Sequence, residues 1–225
     1  MKFQSTILSE ARGKLNGAVF SRNRYAAIIR NKTSPVNPQT SAQALQRQNF
    51  AALSASFRAL TAEQITGWNE AAANFGRTNV FGQTYYQTGL NLYVGLNTNL
   101  LNANASEISD APTPVEMPVL ELGAITNTDV AQTIAFTPTP VPTDHALLIF
   151  ATAPVSAGRN FLKNRYLLIS VQAAAATSPA NTFSAYSAKF GAPIPGMRIG
   201  FKLMLVNTVT GQAGLPVLGS SITTT

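Results

Sequence analysis

Thr40-Ser41-Ala42-Gln43 and Thr61-Ala62-Glu63-Gln64 both fit the capping box, and nothing else in this chain limits its fold so tightly. In each, the Thr hydroxyl can accept from the backbone N–H three residues on, while the Gln side chain reaches back to the cap. Phe50, Leu53, Phe57 and Leu60 then recur at spacings of three and four, an apolar stripe of helical period. Leu60 and Ile65 stand where a hydrophobic staple would clamp the second start. Ile65, Trp68, Ala72 and Phe75 carry one face on to about Asn74. A helix pair is expected, with Phe50, Leu53, Phe57, Leu60, Ile65 and Trp68 as its scaffold.

The segment before the first box is distinguished by charge. Up to Arg58 the chain holds nine Lys and Arg against one acid, Glu10, a balance of +8; the remainder holds seven basic and eight acidic residues. Leu15–Phe20 and Tyr25–Ile29 are β-prone runs about the polar Ser21-Arg22-Asn23-Arg24, which predicts a short basic hairpin. Pro35 and Pro38 then forbid regular pairing and press the residues before them into extended geometry, giving a stiff connector. Arg12, Lys14, Arg22, Arg24, Tyr25, Arg30 and Lys32 are the candidate contact residues. They could meet phosphates, with aromatic rings stacking on bases, or an acidic surface on a neighbouring subunit. A recognition helix is not expected, because AEQITGWNEAAANF contains Glu63 and Glu70 and no Arg or Lys. Protein docking is the preferred reading.

Asn79–Tyr86 reads as a short strand or extended link, and Thr88 could cap a third helix over Leu90–Leu101. Asn102–Pro118, with its turn formers, clustered acids and prolines, reads as a linker. Beyond Met117 the helix signals cease. Short β-prone runs follow at Val119–Leu122, Gln132–Phe136, Ala146–Thr152, Arg165–Val171, Thr182–Tyr186, Arg198–Val206 and Leu215–Leu218. About seven strands at that spacing suggest an antiparallel β-sandwich of immunoglobulin or fibronectin type III character. The expected fold class is therefore α+β: a basic arm over 1–40, a helical module over 41–104, a linker over 105–118 and a sandwich over 119–225.

Reaction chemistry finds little purchase. Without cysteine, disulfides and thiolate metal sites are excluded. The lone His145 follows Asp144 directly, which does not suit a Ser-His-Asp triad. Glu63 and Glu70 lie two turns apart on one helix, and Glu107, Asp110 and Glu116 lack EF-hand spacing. Arg12-Gly13-Lys14-Leu15-Asn16-Gly17 is not a phosphate loop. No enzyme, cofactor, metal or small-molecule substrate is expected. MKFQSTILSEARGKLNG has no apolar signal region, and no run approaches the ~18 apolar residues of a membrane span, so a soluble product of a cytoplasm is expected. Charged residues make up only 11%, less than half the usual share. Surfaces rich in Asn, Gln, Ser and Thr suit wet subunit contacts, or a neutral, extracellular-type β protein. A carbohydrate-binding sandwich remains an alternative; its second half offers Tyr166, Tyr186 and several phenylalanines, but no Trp, for stacking.

Gly13-Lys14-Leu15-Asn16-Gly17, Asn37-Pro38-Gln39-Thr40, Trp68-Asn69-Glu70-Ala71-Ala72 and the block Gly89–Asn97 together carry a resemblance. Residues 11–100 resemble a family of uncharacterised bacteriophage and prophage proteins. Its marks are a GKLGG-like start, a basic hairpin, an N-P-x-T turn and a helix pair ending in W-N-x-A-A. The second half resembles the variable sandwich that often follows, on architecture only. The resemblance implies a virion context, in head, neck or tail, with other virion proteins or further copies of the chain as partners. Asn16 departs from the usual glycine, which puts a positive-φ turn there in doubt.

Overall fold

The computed structural model of the chain describes residues 2–3, 11–22, 26–33, 37, 39–79 and 81–225. The chain is mixed α+β, with four α-helices and several antiparallel sheets among these residues.

The arm is a sheet rather than a lone hairpin. β1 (Lys2–Phe3), β2 (Gly13–Leu15), β3 (Ala18–Arg22) and β4 (Ala27–Asn31) pair in the order β1-β4-β3-β2. The expected turn at Ser21–Arg24 is corrected in part, because Ser21 and Arg22 are strand residues paired with Ile28 and Ala27. A further turn lies at Asn16-Gly17, with Leu15 opposite Ala18 and Asn16 at φ +49°. Asn enters the left-handed region more readily than most residues, and Asn-Gly is a strong short-hairpin signal. Its departure from glycine therefore leaves the turn intact. Arg24, Tyr25, Pro35 and Pro38 lie outside the described residues.

α1 (Ser41–Ala59), α2 (Ala62–Ala71), a 3-10 turn to Asn74 and α3 (Gly89–Asn102) form the helical module, with a small hairpin of β5 (Arg77–Thr78) and β6 (Thr84–Tyr85). At Thr61 the capping box is complete: Gln64 N donates to Thr61 Oγ1 at 3.2 Å, and Thr61 N donates to Gln64 Oε1 at 3.1 Å. Thr40 and Thr88 cap α1 and α3 through their hydroxyls, accepting from Gln43 N and Asn91 N. Thr61→Ala should cost about 1 kcal/mol of stability in urea unfolding, and Thr61→Ser very little.

Leu53, Trp68, Ala72, Leu92, Tyr93 and Leu96 make the module's core, with Phe57 and Leu60 packed against it. Ile65 is half-buried outside that cluster. Phe50, expected in the scaffold, is 59% exposed. Its position on the stripe is right, but no residue from Ser41 to Ala52 is buried, so that part of α1 has no core to face. The expected linker after α3 is held as a strap. Buried Asn97 exchanges two hydrogen bonds with the Ile108 backbone, and the Trp68 indole donates to Ser109 O at 2.8 Å. Gln212 makes two more with the Val115 backbone.

Beyond the strap, β7 (Glu121–Asn127) and β8 (Gln132–Thr137) pair with the short β12 (Ala180–Asn181) in a three-stranded sheet, order β12-β8-β7. The larger sheet has five strands: β9 (His145–Ala151), β10 (Val155–Ser156), β11 (Leu167–Gln172), β13 (Met197–Asn207) and β14 (Val217–Ile222). Their apolar residues share one core, in which Ile134 and Phe136 of the smaller sheet join Leu147, Ile149, Phe201 and Leu203 of the larger. The run Thr182–Tyr186, expected as a strand, is corrected: Phe183–Phe190 is helix α4. Phe183, Tyr186 and Phe190 stand at helical spacings of three and four. Asn181 Oδ1 accepts from Phe183 N at 3.1 Å to start the helix, and Gly191 at φ +84° ends it. Tyr186 is fully buried and donates to Thr152 O, so tertiary burial overrides the β propensity of Thr-Phe-Tyr.

Candidate functional site

Register sorts the basic residues of the arm onto different faces. Lys14 lies opposite Val19, and Val19 opposite Arg30, so these three share one face of the sheet. A groove of about 320 Å³ over that face is lined by Lys14, Arg30 and Lys32. The alternate positions pair Leu15 with Ala18, Phe20 with Ile29 and Arg22 with Ala27. Arg22 therefore falls on the opposite face, beside apolar neighbours. Arg12 is exposed immediately before β2. Arg24 and Tyr25 cannot be placed on either face, being outside the described residues.

None of the described residues from 11 to 40 is buried, and none joins any of the three apolar cores. Folding of the body accordingly does not account for this sheet. One face of the sheet thus presents Lys14, Arg30 and Lys32 to solvent, and Leu15 on the other is 69% exposed.

The opposite charge lies on α2. Glu63 and Glu70 line a groove of about 470 Å³ between α2 and the strap, with Asp110 on its far wall. Gln64 Nε2 donates to Asp110 Oδ1 at 2.9 Å and fixes that wall in place. Glu63 and Glu70 are exposed, and their spacing of seven puts both on one side of the helix. The sequence spacing placed these two glutamates two turns apart on one helix; the signal it lacked was the strap, which brings Asp110 beside them.

Two of the four blocks that carried the family resemblance meet at a third place. Asn69 Oδ1 accepts from Gly89 N at 3.2 Å, and a Cβ at Gly89 would stand 2.9 Å from the Asn69 and Trp68 backbone. Trp68 packs edge-on against Tyr93, with ring centroids 5.1 Å apart at 81°. Tyr93 donates to Glu107, and its phenol is pushed above the ordinary tyrosine range, first by burial and then by that carboxylate. This cluster is scaffold that sets α2, α3 and the strap.

Among the described residues, no three His, Cys, Asp or Glu side chains gather as metal ligands would, and no helix is long and apolar enough to cross a membrane. Searches against protein-family models, curated proteins and solved structures return no match.

Proposed function

We propose that this chain is a non-enzymatic structural subunit of a bacteriophage particle, and that it docks onto a neighbouring copy through its N-terminal basic sheet. The observation that carries the docking is the groove face of Lys14, Arg30 and Lys32 on a sheet whose described side chains join none of the apolar cores. The acidic groove of Glu63, Glu70 and Asp110 supplies complementary charge on the same molecule, so a second copy suffices as partner. Two different surfaces meet in such a contact. Association is then heterologous, giving rings or open filaments rather than a closed two-fold dimer. In this reading the two C-terminal sheets are the layers of an immunoglobulin- or fibronectin-like sandwich that the particle packs or displays; their shared core supports it. The virion context rests on the resemblance of residues 11–100 and not on the docking geometry.

Nucleic acid is the competing occupant, since the same three cations would suit phosphates. Sedimentation velocity at low and high salt, with absorbance at 260 and 280 nm, separates the two. Self-docking predicts a large species free of 260 nm excess that dissociates as salt rises, because charge pairs are screened within about 3 Å at 1 M. A monomer that carries 260 nm absorbance and sheds it at high salt would transfer the basic sheet to nucleic acid. A clean monomer at both salts would move the partner to another virion protein.

A further inference from the structure

The second candidate surface lies at the opposite end of the sequence and owes nothing to the arm. On the five-stranded sheet, Leu168, Phe150, Lys202 and Leu218 lie opposite one another across β11, β9, β13 and β14. Lys202 is thus a cation set in an apolar row. Its Nζ sits 4.0 Å from the centroid of the Phe150 ring, an attractive arrangement for an ammonium over an aromatic face. The ring offsets only part of the lost hydration. Burial still lowers the Lys202 pKa, as it does for any ammonium taken from water. Among the described residues no carboxylate pairs with it.

Above this lysine is a cleft of about 670 Å³, roofed by the loop that runs through Asn160 to Tyr166. The loop can settle there because position 200 is glycine: a Cβ would collide with Leu162 and stand 3.2 Å from the Tyr166 hydroxyl. Phe161 and Leu218, 71% and 60% exposed, form an apolar rim. Lys163, Asn160 and Asn164 add a second cation and two amides. The volume falls within the ordinary range for small-molecule sites, which combine apolar walls with a few placed polar groups.

We propose that this cleft binds a compact sugar acid, with Lys202 taking the carboxylate. A hexuronate matches the lining group by group. Its carboxylate supplies the anion Lys202 lacks, its C–H face lies on the Phe161 and Leu218 rim, and its hydroxyls meet the Asn160 and Asn164 amides. A neutral sugar leaves the cation uncompensated, and an aromatic carboxylate leaves the amides unused.

Isothermal titration of the full chain with glucuronate, glucose and benzoate tests this. Glucuronate should bind saturably in about the millimolar range, with glucose and benzoate at least about tenfold weaker. Lys202→Met keeps the aliphatic stem on Phe150 and should lose at least about tenfold in affinity, whereas Lys202→Arg should stay within a few-fold. Phe161→Ala, on an exposed rim, should weaken binding several-fold with an unchanged melting temperature. Benzoate binding as tightly as glucuronate would overturn the sugar-acid assignment. Absence of saturation, or glucuronate affinity indifferent to Lys202→Met, would overturn the site itself.

Discussion

Trp68→Ala is expected to destabilise the protein by about 4 kcal/mol, the middle of the range for emptying a buried aromatic site. Trp68 is fully buried at the centre of the helical core, so the cavity has no solvent to collapse toward. Two directional contacts go with it: the edge-on packing against Tyr93 and the indole bond to Ser109 O. The second loss removes a hydrogen bond that ties the strap to α2, worth about 1 kcal/mol. Against a typical total of about 5–15 kcal/mol, the variant should approach unfolding at ambient temperature. Trp68→Phe separates the contributions. It restores most of the volume but not the indole bond to Ser109 O, so about 0.5–1.5 kcal/mol should remain. Far-UV circular dichroism in urea is the readout, since Trp68 is the only tryptophan and its emission vanishes with it. A loss below about 1 kcal/mol in Trp68→Ala would mean that the strap and α3 hold the module without it.

Local signals in this sequence report local chemistry faithfully, and their failures come where a distant segment intervenes. The Thr40, Thr61 and Thr88 caps were readable because a hydroxyl and the amide three residues on are all that a cap needs. Six of the seven β-prone runs became strands for a similar reason. The seventh, at Thr182, became α4 because Tyr186 enters the core beside Thr152, a contact across more than thirty positions. Phe50 failed the opposite way: its helical period is correct, yet periodicity does not say whether anything packs on the stripe. The arm's cations were legible as a group but not as a face. The β2–β3 register at the Asn16-Gly17 turn and the β3–β4 register together set Lys14 and Arg30 on one face, on either side of Val19, and send Arg22 to the other. Lys202 carried no sequence signal, since its setting depends on four strands and a loop seated on Gly200.

The triple variant Lys14→Glu/Arg30→Glu/Lys32→Glu should weaken self-association at least about 100-fold, equivalent to about 2.7 kcal/mol. A pair of unit charges about 4 Å apart is worth about 1 kcal/mol in water and more where an interface excludes it. Three attractive contacts would become three repulsive ones against Glu63, Glu70 and Asp110. Stability should change little, because all three positions are exposed and none belongs to a core. Arg22→Glu, on the other face of the same sheet, should cost only a few-fold. Loss of assembly alone would not identify the partner surface, since nucleic acid or another protein would also release a reversed arm. Mixing discriminates. A second variant, Glu63→Lys/Glu70→Lys, keeps the native arm and reverses the groove, so by itself it should also fail to assemble. Combined in equal amounts, each variant's arm meets the other's groove with opposite charge, and sedimenting oligomers of alternating composition should return. Neither nucleic acid nor an unrelated partner can produce that rescue, because each would bind the native arm of the groove variant and reject the reversed arm whether or not the two were mixed. A mixture that stays monomeric while both variants remain folded would refute the head-to-tail contact between arm and groove.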